Sequence, residues 1–245
     1  MRAYIHAFQG KPYNSDCQAA YDGFCQLGVE PVLYTTNEEF DTRNPEDVVV
    51  GGVIMIWHAL NQRRMTAEHY DYPEELINFR GRKIWQIKLK DLRNTELPVF
   101  IKPVEEKIAP GIVVNSWADV EEEYGLIDPE TEIYCSETVK FVSVWRCFPL
   151  YGHIVGIQFY YGNRDATCDR AVINAAVEMF SKQPAACALD FGVTEDGRTL
   201  LIEMNDGYSL GTYGLDPVLY ARVLTARWAE LNQTEDPFRM LPIEP

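Results

Sequence analysis

Two short apolar segments on either side of a tight turn constrain the fold of this chain more than any other feature. The segments are ALDFGV (188–193) and TLLIEM (199–204), and Glu195-Asp196-Gly197 lies between them. Asp and Gly are favoured turn residues, and each apolar segment has the length of a strand. The pattern therefore predicts a β-hairpin that packs in the core.

Three polar residues interrupt this apolar hairpin. The predicted pairing places Asp190 roughly opposite Glu203, and Glu203 shares a strand face with Asn205 because strand side chains alternate. In one interpretation these residues bind Mg²⁺, which prefers oxygen ligands. In the other they lie on a solvent-facing hairpin edge. The sequence leaves both interpretations open.

The N-terminal region alternates strand and helix patterns. RAYIHAF (2–8) and PVLY (31–34) are predicted strands. The stretch between them, 15–27, is a predicted helix that Ser15 or Asp16 caps. This order indicates a β-α-β start.

A polar connector that contains a proline, at 68–82, ends this α/β region. We therefore predict a small α/β domain over 1–80 and a second domain over 81–245. The predicted elements of the second domain are strands at 98–103, 111–115 and 153–162, a long strand region at 132–150, and helices that begin at Ser116, at Asp169 and at Asp216-Pro217. The buried face predicted for the helix over 169–182 consists of Val172, Ala175, Ala176, Met179 and Phe180.

Cationic residues in apolar strands are further candidates for a site. Lys102 follows the apolar stretch VFI and precedes a proline, so its ammonium either reaches solvent or binds a phosphate in a cleft. Arg146 lies within KFVSVWRCF, where a charged side chain rarely lacks a partner. It is either the structural partner of an acid or an anion ligand. Lys88, in WQIKLKDL, either contacts a phosphate or lies on a solvated face.

Charge and hydropathy exclude several classes of function. The net charge is −15, from 22 basic and 37 acidic residues, which argues against sequence-independent nucleic-acid binding. The longest apolar run, VVVGGVIMIW (48–57), has about half the length of a membrane-spanning helix. The six cysteines form no C-x-x-C pair, which favours reduced thiols. We therefore expect a cytoplasmic protein without a membrane or nucleic-acid partner.

Taken in chain order, the segments resemble the ATP-grasp superfamily. VFIKP resembles its strand with the phosphate-binding lysine, EIYCSETV its hinge strand, and ALDFGV…LLIEMND its metal-binding hairpin. The YPEEL-x-x-F-x-GRKIW connector and the WRCF strand resemble the R2K clade in particular. This resemblance implies an α+β fold in which two α+β subdomains sandwich ATP, preceded by a small α/β pre-ATP-grasp domain.

The resemblance also implies roles for individual residues. Lys102 and Arg146 would be catalytic, and Glu137 would contact the ribose. The implied nucleotide-binding residues are Lys88, Lys102, Cys135, Ser136, Glu137, Thr138 and Arg146. The implied ligands of Mg²⁺, or of Mn²⁺, are Asp190, Glu203 and Asn205. GYSLGTYG (207–214) resembles the loop that borders the acceptor site.

The function that the resemblance implies is an ATP- and Mg²⁺-dependent ligase. Such an enzyme joins a small-molecule or peptide carboxylate to an amine through an acyl phosphate. The chain departs from the family pattern in two places, because the loop after Lys102 keeps only APG (109–111) and Val144 stands where an acid is expected. The alternative is therefore a non-catalytic nucleotide-binding or protein-interaction module that retains the fold.

Overall fold

The computed structural model describes residues 1–61, 71–105 and 108–243 of the chain. The Cα positions divide the chain into two compact units. Unit 1 contains Met1–Phe79 together with Phe141–Pro245, and unit 2 contains Arg80–Lys140.

The described residues form twelve strands, five α-helices and three short 3₁₀ helices. The strands are β1 (Ala3–Phe8), β2 (Lys11–Pro12), β3 (Pro31–Tyr34), β4 (Val48–Val50), β5 (Ile84–Lys88), β6 (Val99–Pro103), β7 (Ile112–Val114), β8 (Glu132–Ser136), β9 (Phe141–Leu150), β10 (His153–Gly162), β11 (Cys187–Thr194) and β12 (Thr199–Asp206). The α-helices are α1 (Ser15–Gln26), α2 (Val53–Asn61), α3 (Trp117–Tyr124), α4 (Arg170–Met179) and α5 (Pro217–Asn232). Short 3₁₀ helices cover Asn37–Phe40, Glu74–Phe79 and Leu89–Asn94.

The first sheet of unit 1 is built around β1. Strands β3 and β4 both pair with β1 in parallel, and β2 pairs with its end in antiparallel orientation. The predicted β-α-β start is therefore confirmed. The cap of α1 differs from the prediction, because Asn14 rather than Ser15 or Asp16 accepts a hydrogen bond from the Cys17 N–H, at 2.9 Å. The amide oxygen of Asn14 satisfies one of the first N–H groups of the helix.

The second sheet of unit 1 is antiparallel, with strand order β10-β9-β11-β12. The predicted hairpin is confirmed as β11 and β12. Every residue of β11 is buried because the strand lies inside the sheet and both of its faces are covered. The sheet therefore holds Asp190 on a rigid interior strand.

The buried face of α4 corrects one prediction. Ile173, Ala176, Val177 and Phe180 face the core, whereas Met179 is 50% exposed. The apolar residues of this segment define two overlapping helical stripes one residue apart. Tertiary packing selects the stripe that begins at Ile173.

The N-terminal region shares one core with the C-terminal region. Residues of β1, α1 and β4 belong to the same buried cluster as residues of α5 and the start of the 207–214 loop. Gly23 permits the close approach of α1 to α5, since a Cβ there would clash with the carbonyl of Pro217. The two compact units therefore do not correspond to two continuous segments of the chain, because unit 1 contains both 1–79 and 141–245. The division into domains at 1–80 and 81–245 stays a prediction.

Helix α5 forms as the sequence predicts. The Asp216 carboxylate accepts hydrogen bonds from the N–H groups of Val218 and Leu219, at 2.9 and 3.2 Å, and Pro217 occupies the first turn. Eleven of its sixteen residues are buried, including Arg222 and Arg227. Among the described helices, none combines the length and the apolar character that crossing a membrane requires.

Unit 2 contains one antiparallel sheet with strand order β5-β8-β6-β7. The strands predicted at 98–103 and 111–115 form a hairpin of β6 and β7, and α3 begins after Ser116, where a capping box with Asp119 stabilises its first turn. The predicted strand region at 132–150 is instead two strands, β8 and β9, which belong to different sheets. The break falls at 137–140, four residues outside any strand.

Candidate functional site

The predicted oxygen cluster of the hairpin is assembled in unit 1. Asp190 pairs directly with Glu203 across β11 and β12. The Asn205 Nδ2 donates to Asp190 Oδ2 at 3.0 Å and contacts Glu203 Oε1 at 3.4 Å. Asp190 is only 2% exposed and does not lie on a solvent-facing edge, whereas Glu203 and Asn205 are half-buried on β12, the last strand of the sheet. We call Asp190, Glu203 and Asn205 the oxygen cluster.

A β-bulge lies directly beside the oxygen cluster. Asp190 pairs with Glu203, but the next residue, Phe191, pairs with Leu201, so Ile202 is an extra residue on β12. A bulge changes the direction of nearby side chains and is often found next to active sites. The bulge therefore helps to set where Glu203 points relative to Asp190.

Arg146 forms a buried ion pair with Asp190. Its Nε lies 2.8 Å from Oδ1 and one terminal nitrogen lies 2.7 Å from Oδ2, a bidentate contact. Of the two alternatives for Arg146, this structure therefore shows the partner of an acid. Burial raises the pKa of the Asp190 carboxyl, and the contact with Arg146 opposes that rise.

Two aromatic rings enclose the Arg146 guanidinium. Its central carbon lies 5.2 Å from the ring centroid of Tyr160 and 5.1 Å from that of Tyr213. Stacked rings of this kind stabilise a cation. Tyr213 has a positive φ of 48°, a rare backbone conformation for a residue with a side chain. Sequence reasoning missed both tyrosines, and the only signal for Tyr213 was its position in the glycine-dotted loop GYSLGTYG.

The 207–214 loop is also bonded to the first turn of α1 and to the residue that follows β4. The Thr212 N–H and hydroxyl both donate to the Asp16 carboxylate, at 2.8 and 3.0 Å. The Ser209 hydroxyl donates to the Gly51 carbonyl at 2.9 Å. These bonds connect the strand of the oxygen cluster to the carboxyl edge of the parallel sheet.

A cavity of about 280 Å³ lies at that carboxyl edge, within unit 1. It is located where β3 and β4 lie on opposite sides of β1, which is the topological switch point of the sheet. Ligands of open α/β sheets bind at such points. Its lining includes His6, Tyr13, Asp16, Gly51 and Ser209. Burial lowers the pKa of His6, whose ring stacks on Tyr13 at 4.5 Å, so the imidazole is neutral near pH 7.

A larger cavity of about 880 Å³ lies elsewhere in unit 1. The ends of α4 and α5 line it, and none of the predicted site residues is among its lining residues. Volume alone therefore does not identify the site, since the smaller cavity is the one that adjoins the loop after β12.

Lys102 lies on β6 of unit 2, opposite Tyr134 of β8, and is half-buried. Gly111, just before β7 of the same hairpin, faces Lys102, since a Cβ added to Gly111 would lie 3.4 Å from the Lys102 Cβ. Residues 106–107, in the loop after Lys102, lie outside the described residues. The role of Lys102 in phosphate binding stays a prediction.

Lys88 lies in an exposed ion pair. Its Nζ is 2.8 Å from Glu130, and the Lys90 Nζ contacts the same carboxylate at 2.6 Å. Their hydrogen bonds lower the pKa of Glu130 to about 2. Lys88 therefore lies on a solvated face in this structure, and its role in nucleotide binding stays a prediction.

The residues that the resemblance assigns to the hinge, at the end of β8 and just beyond it, differ in what they offer a ligand. The Cys135 side chain is fully buried, and burial raises its thiol pKa to about 11, so only its backbone is available. The Ser136 hydroxyl accepts from Arg82 at 3.1 Å and donates to the Glu137 carbonyl at 2.8 Å. The exposed Glu137 carboxylate accepts from the Lys83 N–H at 2.8 Å. Thr138 is exposed beyond the strand.

The chemistry of the oxygen cluster fits Mg²⁺. Across the described ranges, no group of three His, Cys, Asp or Glu residues is arranged to hold a metal. The oxygen cluster has two carboxylates and an amide, a set that suits Mg²⁺ when water and phosphate complete its shell. The Asn205 nitrogen now faces Asp190, so the amide must turn to present its oxygen to a cation.

A family match identifies the class of this protein. The chain matches the family described as "ATP-grasp domain, R2K clade family 2" over residues 79–223, and it belongs to that family. No curated protein matches the chain by sequence.

Solved structures resemble the whole chain at low sequence identity. An L-amino acid ligase from Bacillus licheniformis has a TM-score of 0.60 and 10% identity, covering 100% of this chain and 79% of its own. A RimK domain protein ATP-grasp from Sphaerobacter thermophilus has a TM-score of 0.59 and 15% identity, covering 91% and 99%. The D-cycloserine synthetase DcsG has a TM-score of 0.58 and 13% identity, covering 92% and 99%. These likenesses confirm the predicted α+β ATP-grasp fold, while a separate pre-ATP-grasp domain stays a prediction.

Proposed function

We propose that this protein is an ATP- and Mg²⁺-dependent ligase that joins a carboxylate to an amine. The observation that carries the proposal is the oxygen cluster, which lies on two rigid paired strands of an ATP-grasp protein. Rigid strands hold ligating groups more firmly than loops do. The ligase and synthetase names of the similar structures support the same class of reaction.

The proposed reaction has two steps that balance. In the first, a carboxylate oxygen of the substrate attacks the γ-phosphorus of ATP, the bond to the β,γ-bridging oxygen breaks, and ADP leaves. In the second, the amine nitrogen attacks the carbonyl carbon of the acyl phosphate. The C–O bond breaks, inorganic phosphate leaves, and the nitrogen loses a proton. No side-chain nucleophile of the protein is needed.

Within unit 1, we propose that Asp190, Glu203 and Asn205 hold Mg²⁺. The cation, when bound, neutralises negative charge on the nucleotide phosphates. Arg146 keeps Asp190 in one orientation through its bidentate contact, and Tyr160 and Tyr213 keep Arg146 in place. A group that is already oriented loses no free energy to reorganisation when the substrate binds.

Within unit 2, we propose that Lys102 contacts the nucleotide phosphates and that Glu137 contacts the ribose. Lys102 is suited to a phosphate because its ammonium is a compact point charge on a strand whose neighbours are buried. The backbone of Cys135 to Thr138 would meet the adenine. Lys88 would contribute less, because its ammonium is already paired with Glu130 in solvent.

We propose that the cavity of about 280 Å³ receives one of the two organic substrates. Its volume suits a small molecule or the end of a peptide, and its lining mixes a neutral imidazole with the Asp16 carboxylate and the Ser209 hydroxyl.

We also propose a cytoplasmic location, because all six cysteines are free thiols.

A specific observation favours a second candidate function, a nucleotide-binding module without turnover. Asp190 is already neutralised by Arg146 in this structure, and Val144 supplies no carboxylate next to the Trp-Arg pair. A protein that binds ATP but does not transfer its phosphate would have the same features.

Release of ADP separates the two functions. The protein is incubated with Mg²⁺ and ATP and with pools of carboxylates and amines, and ADP is measured. A ligase releases ADP faster when both an acid and an amine are present, and Asn205→Ala abolishes that release. Glu178→Gln, which removes an exposed carboxylate of α4, is the matched control and keeps it. Nucleotide binding with no acceptor-dependent ADP release would overturn the ligase proposal.

A further inference from the structure

Arg146 places a positive charge directly beside the oxygen cluster. Asp190 and Glu203 contribute two negative charges, Asn205 contributes none, and Arg146 is bonded to both oxygens of Asp190. These four side chains therefore carry a net charge of about −1 at neutral pH. A divalent cation that enters this cluster meets a fixed guanidinium as well as two carboxylates.

Burial and contacts with two aromatic rings hold the Arg146 guanidinium in place. The Arg146 side chain is 6% exposed, and the rings of Tyr160 and Tyr213 lie on it at 5.2 and 5.1 Å. The two rings also pack on each other, with centroids 4.2 Å apart. Moving Arg146 would break two charge-assisted hydrogen bonds and both ring contacts.

We propose that Arg146 is a positioning residue that makes the oxygen cluster a poor site for a free divalent cation, so that the cation binds together with the nucleotide. The phosphates of ATP supply the negative charge that Arg146 cancels. Mg²⁺ sites commonly use one or two carboxylates and substrate phosphates. This inference rests on the part of the proposed function that places the cation at Asp190, Glu203 and Asn205.

The fold contains a matched pair that serves as a control. Arg227 contacts Asp206 through the same two nitrogens, at 2.6 and 2.7 Å, and its side chain is 8% exposed. Asp206 is the last residue of β12, next to Asn205. Arg227 itself lies on α5, so replacing it removes a similarly buried arginine whose aspartate belongs to the same sheet, without changing the charge at Asp190.

The test measures binding of Mn²⁺ by electron paramagnetic resonance, at mildly alkaline pH, with and without a non-hydrolysable ATP analogue. In the wild-type protein we expect weak binding of Mn²⁺ alone and binding at least about a hundredfold tighter with the analogue. Arg146→Met should tighten the binding of Mn²⁺ alone by about tenfold or more, because one repelling charge is removed. Arg146→Lys, which keeps the charge, and Arg227→Met should leave it unchanged. Circular dichroism checks the folding of each variant.

Two results would overturn the inference. One is tight binding of Mn²⁺ by the wild-type protein without nucleotide, a result that does not depend on any variant folding. The other is unchanged or weaker binding of Mn²⁺ alone by folded Arg146→Met. Neither readout requires ligation, so a protein that binds Mn²⁺ as expected but never releases ADP would contradict the ligase function and leave this inference standing.

Discussion

Two buried arginine–aspartate pairs in unit 1 have nearly the same geometry and different surroundings. Arg146 holds Asp190 at 2.8 and 2.7 Å, and Arg227 holds Asp206 at 2.6 and 2.7 Å. Both pairs are bidentate, and both involve a strand of the β10-β9-β11-β12 sheet. The pair alone therefore does not identify a functional site.

The two pairs differ in the residues that surround them. Arg227 also bonds Glu230 at 2.7 Å, one turn further along α5, so it fixes the helix to the end of β12. Arg146 instead lies between two tyrosine rings, and its aspartate accepts from the amide of Asn205, which also contacts Glu203. We infer that the Arg227 pair stabilises the fold and that the Arg146 pair organises a site.

The largest expected effect comes from Arg227→Met. Asp206 would be left buried without its cation, so the free energy of unfolding should fall by about 3–5 kcal/mol. Urea unfolding measures this loss. The affinity for ATP with Mg²⁺ should stay the same in the folded protein. A loss of nucleotide affinity at full folding would mean that the two pairs do not differ in role.

The second largest effect tests the difference between the two pairs by replacing their aspartates. Asp190→Asn should weaken Mg²⁺-dependent ATP binding by about a hundredfold, or about 2.7 kcal/mol, because the carboxylate that we propose as a ligand of the cation is lost. Fluorescence titration with a labelled ATP analogue measures the change. Asp206→Asn is the matched variant, and it should reduce stability without reducing the dependence on Mg²⁺. Equal losses of affinity in the two variants would contradict the assignment.

A smaller effect is expected from the ring that covers Arg146. Tyr213→Leu should lower the free energy of unfolding by about 0.5–2 kcal/mol, since one stacked ring is removed from a buried cation. Thermal unfolding monitored by circular dichroism measures this. Tyr161→Leu, in the same strand as Tyr160 but 70% exposed, is the control and should have little effect. An equal loss in both would show that the rings stabilise the sheet and not Arg146.

The smallest expected effect concerns Lys88. Lys88→Ala should weaken ATP binding by less than about threefold, because exposed ion pairs contribute little. Lys102→Ala should weaken it by about tenfold or more if its ammonium meets a phosphate. Calorimetry compares the two lysines directly. A greater loss with Lys88→Ala than with Lys102→Ala would reverse their proposed roles.

Much of the site could be predicted because its signals are local. The apolar segments around Glu195-Asp196-Gly197 define the hairpin, and strand alternation then brings Asn205 to the face of Glu203. The length of the turn brings Asp190 roughly opposite Glu203, and the bulge at Ile202 makes that pairing direct. The same local logic predicts α5, where Asp216 and Pro217 mark the first turn.

The features that could not be predicted depend on tertiary structure. The partner of Arg146 lies 44 residues away on another strand, and no local pattern indicates it. The extra residue at Ile202 looks like any other apolar strand residue. The segment 1–79 shares its core with 141–245 because α1 packs on α5, a contact between helices that are far apart in the sequence.

Calorimetric titration of ATP into the protein, with Mg²⁺ and with EDTA, tests the central claim most directly. The wild-type protein and the double variant Glu203→Ala/Asn205→Ala are compared, and Arg227→Met is the control for lost stability. We predict binding that requires Mg²⁺ in the wild-type protein and in folded Arg227→Met, and no Mg²⁺ dependence in the double variant. Equal binding in all three proteins, or binding that EDTA does not affect, would contradict the assignment of the oxygen cluster as the cation site.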